Sequence, residues 1–452
     1  MATALIILAA GQGTRMNSDL PKVLHKLAGA PLLHHTMRAG DALEPERTII
    51  VVGHGGDAVR KAARAYDDDE TTQTVTQSEQ RGTGHAVAQA LPALAGFQGR
   101  VIVLFGDTPF ITLETLEKLA TSKADVTVLG FHTDSKPQRY GRLVVENGAL
   151  TRIVEFKDAS PNEQAITLIN SGVVACDAAL LVELVGELGN DNASGEYYLT
   201  DIVGIAHSRG LNVAAETCPE AETLGIDSRA NLAEAEKQFQ TRIRAEALEN
   251  GVTLYDPDTV FFAYDTVIGR DACIGPNVVF GPGVSIESGA EIRAFCHLEG
   301  CHIARGATVG PFARLRPGAE LAEDVRVGNF VEIKNAILDE GVKIGHLAYV
   351  ADAHVGERTN IGAGTVTCNY DGVSKHRTEI GARAFIGSDT MLVAPVTIGA
   401  GAMTASGSVI TEDVPEEALA LGRAPQVNKP GLARKLFEKF KADKEKRRKV
   451  TD

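Results

Sequence analysis

Between Ile268 and Ile410 an aliphatic or aromatic residue recurs at every sixth position. The series runs Ile268, Ile274, Phe280, Ile286, Ile292 and Leu298, then slips by one residue to Val309, Leu315, Leu321, Val327 and Ile333. Two further slips give Leu338, Ile344 and Val350, then Val355 and Ile361. Past an interruption the beat returns as Ile380, Ile386, Leu392, Ile398 and Ile410, with polar Thr404 in an apolar place. A helix would show a period near 3.6 and a half-buried strand a period of 2. A short fixed repeat, too small to bury its own face, stacks on its neighbours instead. The pattern predicts a parallel β-helix of hexapeptide repeats, three to a coil, within residues 251–452.

Upstream the pattern changes. Ala4–Leu8, Thr48–Val52 and Val101–Phe105 are short apolar runs separated by segments that read as helices. Strands alternating with helices predict an α/β domain with a mostly parallel sheet, over 1–227. From 228 to 250 the apolar residues fall at 232, 235, 239, 243 and 247, one stripe of a single helix, and Asn250-Gly251 is a stop signal. This segment reads as a linker helix whose stripe packs on the second domain.

Composition narrows the function classes. The chain has 452 residues, 44% hydrophobic and 23% charged, and a net charge of −14. That is a soluble globular composition, and it argues against a general nucleic-acid surface. A phosphate-bearing ligand must therefore be held by local positive charge. No stretch approaches the ~20 apolar residues of a membrane span, so no membrane partner is expected. Leu5–Ala10 lacks a basic leader and runs into Gly-Gln-Gly, which reads as a buried strand and its loop. Six cysteines without paired spacing point to a reducing, cytoplasmic setting. The Lys- and Arg-rich stretch from Arg434 to Lys449 reads as a solvated tail, or as an electrostatic aid to a polyanionic cofactor.

Candidate chemistry gathers at the strand ends. Gly11 and Gly13 let backbone N–H groups approach phosphate oxygens, and Arg15 and Lys22 add positive charge. Asp107 follows the run Val101–Phe105. It is either a cap or, beside a phosphate loop, a ligand for Mg²⁺, which takes one or two carboxylates with substrate oxygens and water. The string Leu8-Ala9-Ala10-Gly11-Gln12-Gly13-Thr14-Arg15-Met16, followed by Leu20-Pro21-Lys22-Val23-Leu24, resembles the signature of sugar-phosphate nucleotidyltransferases. The resemblance implies a Rossmann-like domain. Its site for UTP and UDP-N-acetylglucosamine would comprise Leu8, Ala9, Ala10, Gly11, Lys22, Gln77, Gly82, Thr83, Phe105, Gly106, Asp107, Gly141, Glu155, Asn170 and Asp227. From spacing alone Gly141, Glu155 and Asn170 read only as turn or cap residues. The same resemblance puts Mg²⁺ on Asp107 and Asp227, with Arg15 and Lys22 supporting the transfer. The family usually carries Asn where Asp227 stands.

The register of the repeats selects further residues. Arg316 and Lys334 stand one coil apart in one outward column, with strands about 4.8 Å apart, an unfavourable pairing unless an anion lies between them. Glu332 and Tyr349 share another column. His346, Ala363, Ser388 and Ser406 form a third, provided that 366–378 is a single repeat carrying an inserted loop around Cys368-Asn369-Tyr370-Asp371-Gly372. A histidine at the foot of a line of small residues suits an extended thioester cofactor, with Glu332 orienting the ring.

The strings Asn329-Phe330-Val331-Glu332-Ile333-Lys334, Gly345-His346-Leu347, Asn360-Ile361-Gly362-Ala363-Gly364-Thr365 and Cys368-Asn369-Tyr370-Asp371-Gly372 resemble a bacterial bifunctional family. It unites N-acetylglucosamine-1-phosphate uridylyltransferase with glucosamine-1-phosphate N-acetyltransferase, and the likeness covers nearly the whole chain. It implies a left-handed β-helix and a homotrimer with the acetyl-transfer site between subunits. Glucosamine 1-phosphate would bind Arg316, Lys334, Tyr349 and Asn360, and His346 would be the base. Acetyl-CoA would bind Ala363, Asn369, Tyr370, Ser388, Ser406 and Arg423, with Ser406 standing where the family often has Ala. The product of acetylation, N-acetylglucosamine 1-phosphate, would then react with UTP to give UDP-N-acetylglucosamine for the cell envelope.

Two other readings of the repeats remain open at this point. His297 and His302 bracket a slip in the register. Paired histidines have low specificity as a signal, yet two ligands of a three-histidine zinc site would make a carbonic-anhydrase-like β-helix. Alternatively the β-helix serves only regulation or assembly, without acetyl-CoA turnover.

Overall fold

The computed structural model describes residues 2–67, 71–133, 140–146 and 148–451, with side chains described as far as 447. Arg448 and Lys449 of the basic stretch therefore lie outside the described side chains. The chain forms two compact units: Met1–Glu249 with Phe261–Thr266, and Asn250–Val260 with Val267–Asp452.

The first unit is built on β1 (Thr3–Ala9), β2 (Arg47–Val52), β3 (Thr72–Thr76), β4 (Arg100–Phe105), β5 (Val126–His132), β6 (Leu168–Asp177) and β7 (Val213–Thr217). Their spatial order is β7-β5-β6-β4-β1-β2-β3. All neighbours run parallel except β6, which is antiparallel to both β4 and β5. β1 is buried along its whole length, as a strand covered on both faces must be. Apolar clusters lie on either side of it, one around Ile6 and Val103 and the other around Leu5 and Ile102. The predicted α/β sheet is present, and its central strands start and stop within one residue of the apolar runs.

The helix α1 (Arg229–Glu249) follows the predicted segment closely, but its stripe faces elsewhere than expected. Ala235 and Phe239 pack with Leu27, Leu32, Phe110 and Ile226 of the first unit. Glu236 accepts a hydrogen bond from the Ala28 amide at 2.8 Å. The correction has a simple cause. A stripe shows that a helix has a buried face but not which surface buries it, and the hydrophobic cluster around Leu27 was not legible as a docking site.

In the second unit the period-six residues are the core of a left-handed parallel β-helix. Ile274 pairs with Ile292 and Phe280 with Leu298, eighteen residues on. Each slip is a shortened coil, as where Ile286 pairs with Ile303. Thr404 keeps its inward place because its hydroxyl is satisfied, accepting from the Gly387 amide at 3.0 Å and lying 3.2 Å from the Thr390 hydroxyl. The interruption is one enlarged coil. Ile361 pairs with Ile386 and Val355 with Ile380, and the extra residues leave as a loop closed by a bridge between Tyr370 and Lys375.

Candidate functional site

One turn and one backbone bond assemble the polar centre of the first unit. Gly13 has φ +64°, and a Cβ there would lie 2.5 Å from the Cβ of Lys22, so only glycine lets the two loop segments close together. The Ile226 amide donates to the Asp107 carbonyl at 3.1 Å, which brings Asp227 alongside Asp107. The Lys22 ammonium donates to both carboxylates, to Asp227 at 2.9 Å. Arg15 also meets Asp227, at 3.0 Å. Burial works against the charge on Lys22, but Asp107 and Asp227 outweigh it and hold its pKa above the usual lysine value.

Two cavities of about 290 Å³ each adjoin this centre. The first is lined by Leu8, Ala9, Ala10, Gly11, Lys22, Gln77, Gly82, Thr83, Phe105 and Asp107. The second is lined by Gly141, Glu155, Asn170 and Asp227, and again by Thr83, Phe105 and Asp107. Gly106 is not among the lining of either; its amide donates to the Leu8 carbonyl at 3.0 Å. Gln77 is buried and donates to the Gly82 carbonyl at 3.1 Å. Asn170 accepts from the Gly172 amide at 3.0 Å. Burial raises the pKa of Glu155, although the Thr200 hydroxyl donates to it at 3.3 Å. Glu196 lines both cavities and was not singled out from sequence, because nothing in its Gly-Glu-Tyr-Tyr setting marks it.

On the β-helix the outward columns follow the counted register. Leu315 pairs with Ile333, which sets Arg316 beside Lys334, and Glu332 pairs with Tyr349. Lys375, from the inserted loop, joins them. Lys334 is half-buried, and the crowding of Lys375 and Arg316 holds its pKa below the usual lysine value. The buried Nε of Arg316 has no protein partner. Three cations and an unpaired N–H donor make an anion-binding chemistry. Lys375 escaped sequence reasoning because register counting cannot reach into a loop.

The line of His346, Ala363, Ser388 and Ser406 is also present. Ile344, Ile361, Ile386 and Thr404 pair in succession. Backbone bonds stitch the line, from Asp389 N–H to Ala363 at 2.7 Å and from Gly407 N–H to Ser388 at 2.7 Å. Arg423 is exposed just beyond the last strand, Leu419–Ala420.

One expectation about this site is corrected. Glu332 does not hold His346: its carboxylate accepts from Arg316 at 2.9 Å and lies 3.9 Å from Arg314. The His346 ring is held by Asn329, one coil earlier, with Nδ1 2.8 Å from Oδ1. Extending the counted column by one coil finds it. Asn360, moreover, is not on the face of Arg316, Lys334 and Tyr349. It pairs with Lys343 on the face that carries His346 and lines a cavity of about 610 Å³ there.

In the inserted loop Asn369 is buried and its amide donates to Asp352, which also accepts from Asn335 at 2.6 Å. Burial raises the pKa of Asp352, but these two amides, with Lys375 and Lys334, bring it below the usual carboxylate value. Tyr370 is exposed, its hydroxyl donating to the Gly372 carbonyl at 2.6 Å. His297 and His302 stand on different faces, paired with Arg314 and Glu320, and His302 meets Glu287 at 3.3 Å. Within one chain the two rings therefore share no site.

The α/β unit with its paired cavities and the coil of hexapeptides define a nucleotidyltransferase joined to a hexapeptide-repeat transferase. Residues 5–160 match the MobA-like NTP transferase domain and residues 265–300 the bacterial transferase hexapeptide. The bifunctional protein GlmU of Cereibacter sphaeroides is 69% identical over 99% of this chain and 98% of its own length. That of Paracoccus denitrificans is 67% identical over 98% of both. The chain belongs to the GlmU family, and it is a bifunctional enzyme, a uridylyltransferase and an acetyltransferase.

Proposed function

We propose that the β-helix acetylates glucosamine 1-phosphate with acetyl-CoA. The first unit then joins N-acetylglucosamine 1-phosphate to the uridylyl group of UTP, giving UDP-N-acetylglucosamine and pyrophosphate. The observation that carries the second step is the sharing of Asp107 by two adjoining cavities, one for the nucleotide and one for the sugar. Phosphoryl chemistry of this kind asks chiefly for positioning and charge neutralisation. Asp107 and Asp227 converge on one ammonium, so their oxygens reach a common point, and two carboxylates with substrate oxygens fit Mg²⁺. Bound there, Mg²⁺ would neutralise phosphate charge. Lys22 and Arg15 bind phosphate oxygens, while Gln77, Gly82 and Thr83 hold the base and Gly141, Glu155 and Asn170 the sugar.

For acetyl transfer, Arg316, Lys334 and Lys375 hold the sugar phosphate and Tyr349 adds a hydroxyl donor. Asn329 takes the Nδ1 proton side of His346, leaving Nε2 to accept a proton from the substrate amine. The amine nitrogen forms the amide bond as the thioester C–S bond breaks and coenzyme A leaves with the electron pair. The cofactor arm lies along Ala363, Ser388 and Ser406, with Arg423 meeting a CoA phosphate and Asn369 and Tyr370 positioning the reacting groups. The open surroundings of His346, and Asn360 on a different face from Arg316, favour a homotrimer in which a neighbour completes the site. Free thiols at all six cysteines accord with a cytoplasmic enzyme. The test assays both reactions in His346→Ala and Asp107→Ala. Each variant should lose one reaction and keep the other; loss of both in folded protein overturns the two-site reading.

A further inference from the structure

Two single-turn helices, Thr14–Met16 and Lys22–Leu24, carry the two cations of the nucleotidyl-transfer centre, Arg15 and Lys22. Backbone bonds from the Asn17 amide to Thr14 at 3.1 Å and from the His25 amide to Lys22 at 3.2 Å close them. A turn so short depends on its surroundings to hold its shape. The same guanidinium meets both. Arg229, the first residue of α1, donates through Nε to the Met16 carbonyl at 3.3 Å and through Nη1 to Nδ1 of His25 at 3.1 Å. A guanidinium can only donate, so Nδ1 keeps its lone pair and the imidazole is neutral. His25 is 4% exposed, and burial, with the Arg229 charge beside it, holds its pKa below the usual histidine value.

We infer that Arg229 is a positioning residue for uridylyl transfer, fixing both cation-bearing turns at once through the Met16 carbonyl and the His25 ring. It stands two residues beyond Asp227, the carboxylate that Arg15 meets at 3.0 Å and Lys22 at 2.9 Å. One helix start therefore presents the carboxylate and, through a planar fork, sets where the two cations face it. Without the fork each turn loses its tie to that helix. A misplacement of ~1 Å in groups that must meet developing charge costs about 10²-fold in rate. Lysine in this place keeps the charge and loses the planar fork. The role rests on the uridylyl-transfer reading of the first unit, and it acts through contacts inside one chain.

The experiment compares uridylyl transfer by the full-length parent, Arg229→Ala, Arg229→Lys, His25→Asn and His25→Leu, with calorimetric titration of each by UTP and Mg²⁺. Arg229→Ala should lower kcat ~10²-fold and change the KM for UTP less than ~3-fold, because placement is lost while the cations remain to bind phosphate. Arg229→Lys should stay ~10-fold or more below the parent. Asparagine and leucine have nearly the same shape, but only asparagine sets an acceptor oxygen near the place of Nδ1. His25→Asn should therefore exceed His25→Leu by ~10-fold, the worth of a hydrogen bond to a charged group. The amount of UTP bound per chain at saturation should equal the parent's in every variant. Equal rates for the asparagine and leucine variants overturn the proposal, since they leave His25 as packing alone. A lysine variant at the parent rate does the same, since it leaves Arg229 as charge alone. So does UTP binding that falls in step with kcat, which marks a misfolded unit. An inactive parent overturns the assigned reaction and this role with it; an active parent matched by all four variants overturns the role alone.

Discussion

The Nδ1 atom of His346 and the Oδ1 atom of Asn329 lie 2.8 Å apart across two successive coils of the β-helix. An amide oxygen can only accept, so Nδ1 carries the proton and Nε2 keeps its lone pair for the substrate.

Asn329→Ala should therefore slow acetyl transfer about tenfold or more, part of the ~10²–10⁴-fold that a placed base supplies. Asn329→Asp separates positioning from mere packing. A carboxylate at this place favours the imidazolium, so the acidic limb of the kcat/KM profile should move to higher pH. A profile that does not move would assign Asn329 a structural role only.

Lys375→Ala should raise the KM for glucosamine 1-phosphate ~10-fold and change kcat less, the loss of one charged hydrogen-bonding partner of the phosphate. Uridylyl transfer should be untouched. Steady-state kinetics with glucosamine 1-phosphate and with free glucosamine check the assignment, because only the phosphorylated substrate should feel the change.

How much of this was open to a reader of the sequence differs between the two units. The β-helix register was legible to the residue, since period six is a geometric statement and each inward residue fixes its neighbours' directions. The columns of Arg316, Lys334 and His346 followed. What failed were details that depend on side-chain reach. Glu332 stands near His346 in sequence but turns to Arg316, and Lys375 enters from a loop without register. In the first unit the strand ends were legible as apolar runs with glycine after them. Glu155, just past a strand end, and Asn170, within a strand, join the same cavity but carried no local signal and came from resemblance alone.

Gly13→Ala should cost uridylyl transfer ~10²-fold, because the added Cβ meets Lys22 at 2.5 Å and the φ of +64° disfavours any side chain. The displaced segment carries the ammonium that binds Asp107 and Asp227. Acetyl transfer by the same preparation should stay near the parent rate and serves as the folding control.

Glu155→Gln should stabilise the protein more at neutral pH than in acid. Burial raises the folded-state pKa of Glu155 above its ordinary value of 4.5. The folded chain thus binds this proton more tightly than the unfolded chain. The contribution of the carboxyl group is complete below about 4.5 and is lost as pH rises through the folded value. Tm differences between variant and parent, measured at about pH 4 and about pH 7, should grow with pH; a constant difference would rule out the assigned direction.

The enlarged coil between Ile361 and Ile386 admits a loop without displacing any inward residue above or below it. The coil stack behaves as a ruler with graduations about 4.8 Å apart, on which an insertion changes what is displayed at one height and leaves every other graduation readable. Moving the Asn-Tyr-Asp-Gly segment by one coil would keep the core whole yet set it one graduation away from Lys334 and Asp352. New acceptors for such a scaffold are therefore a matter of choosing a height, with the wall itself left unaltered.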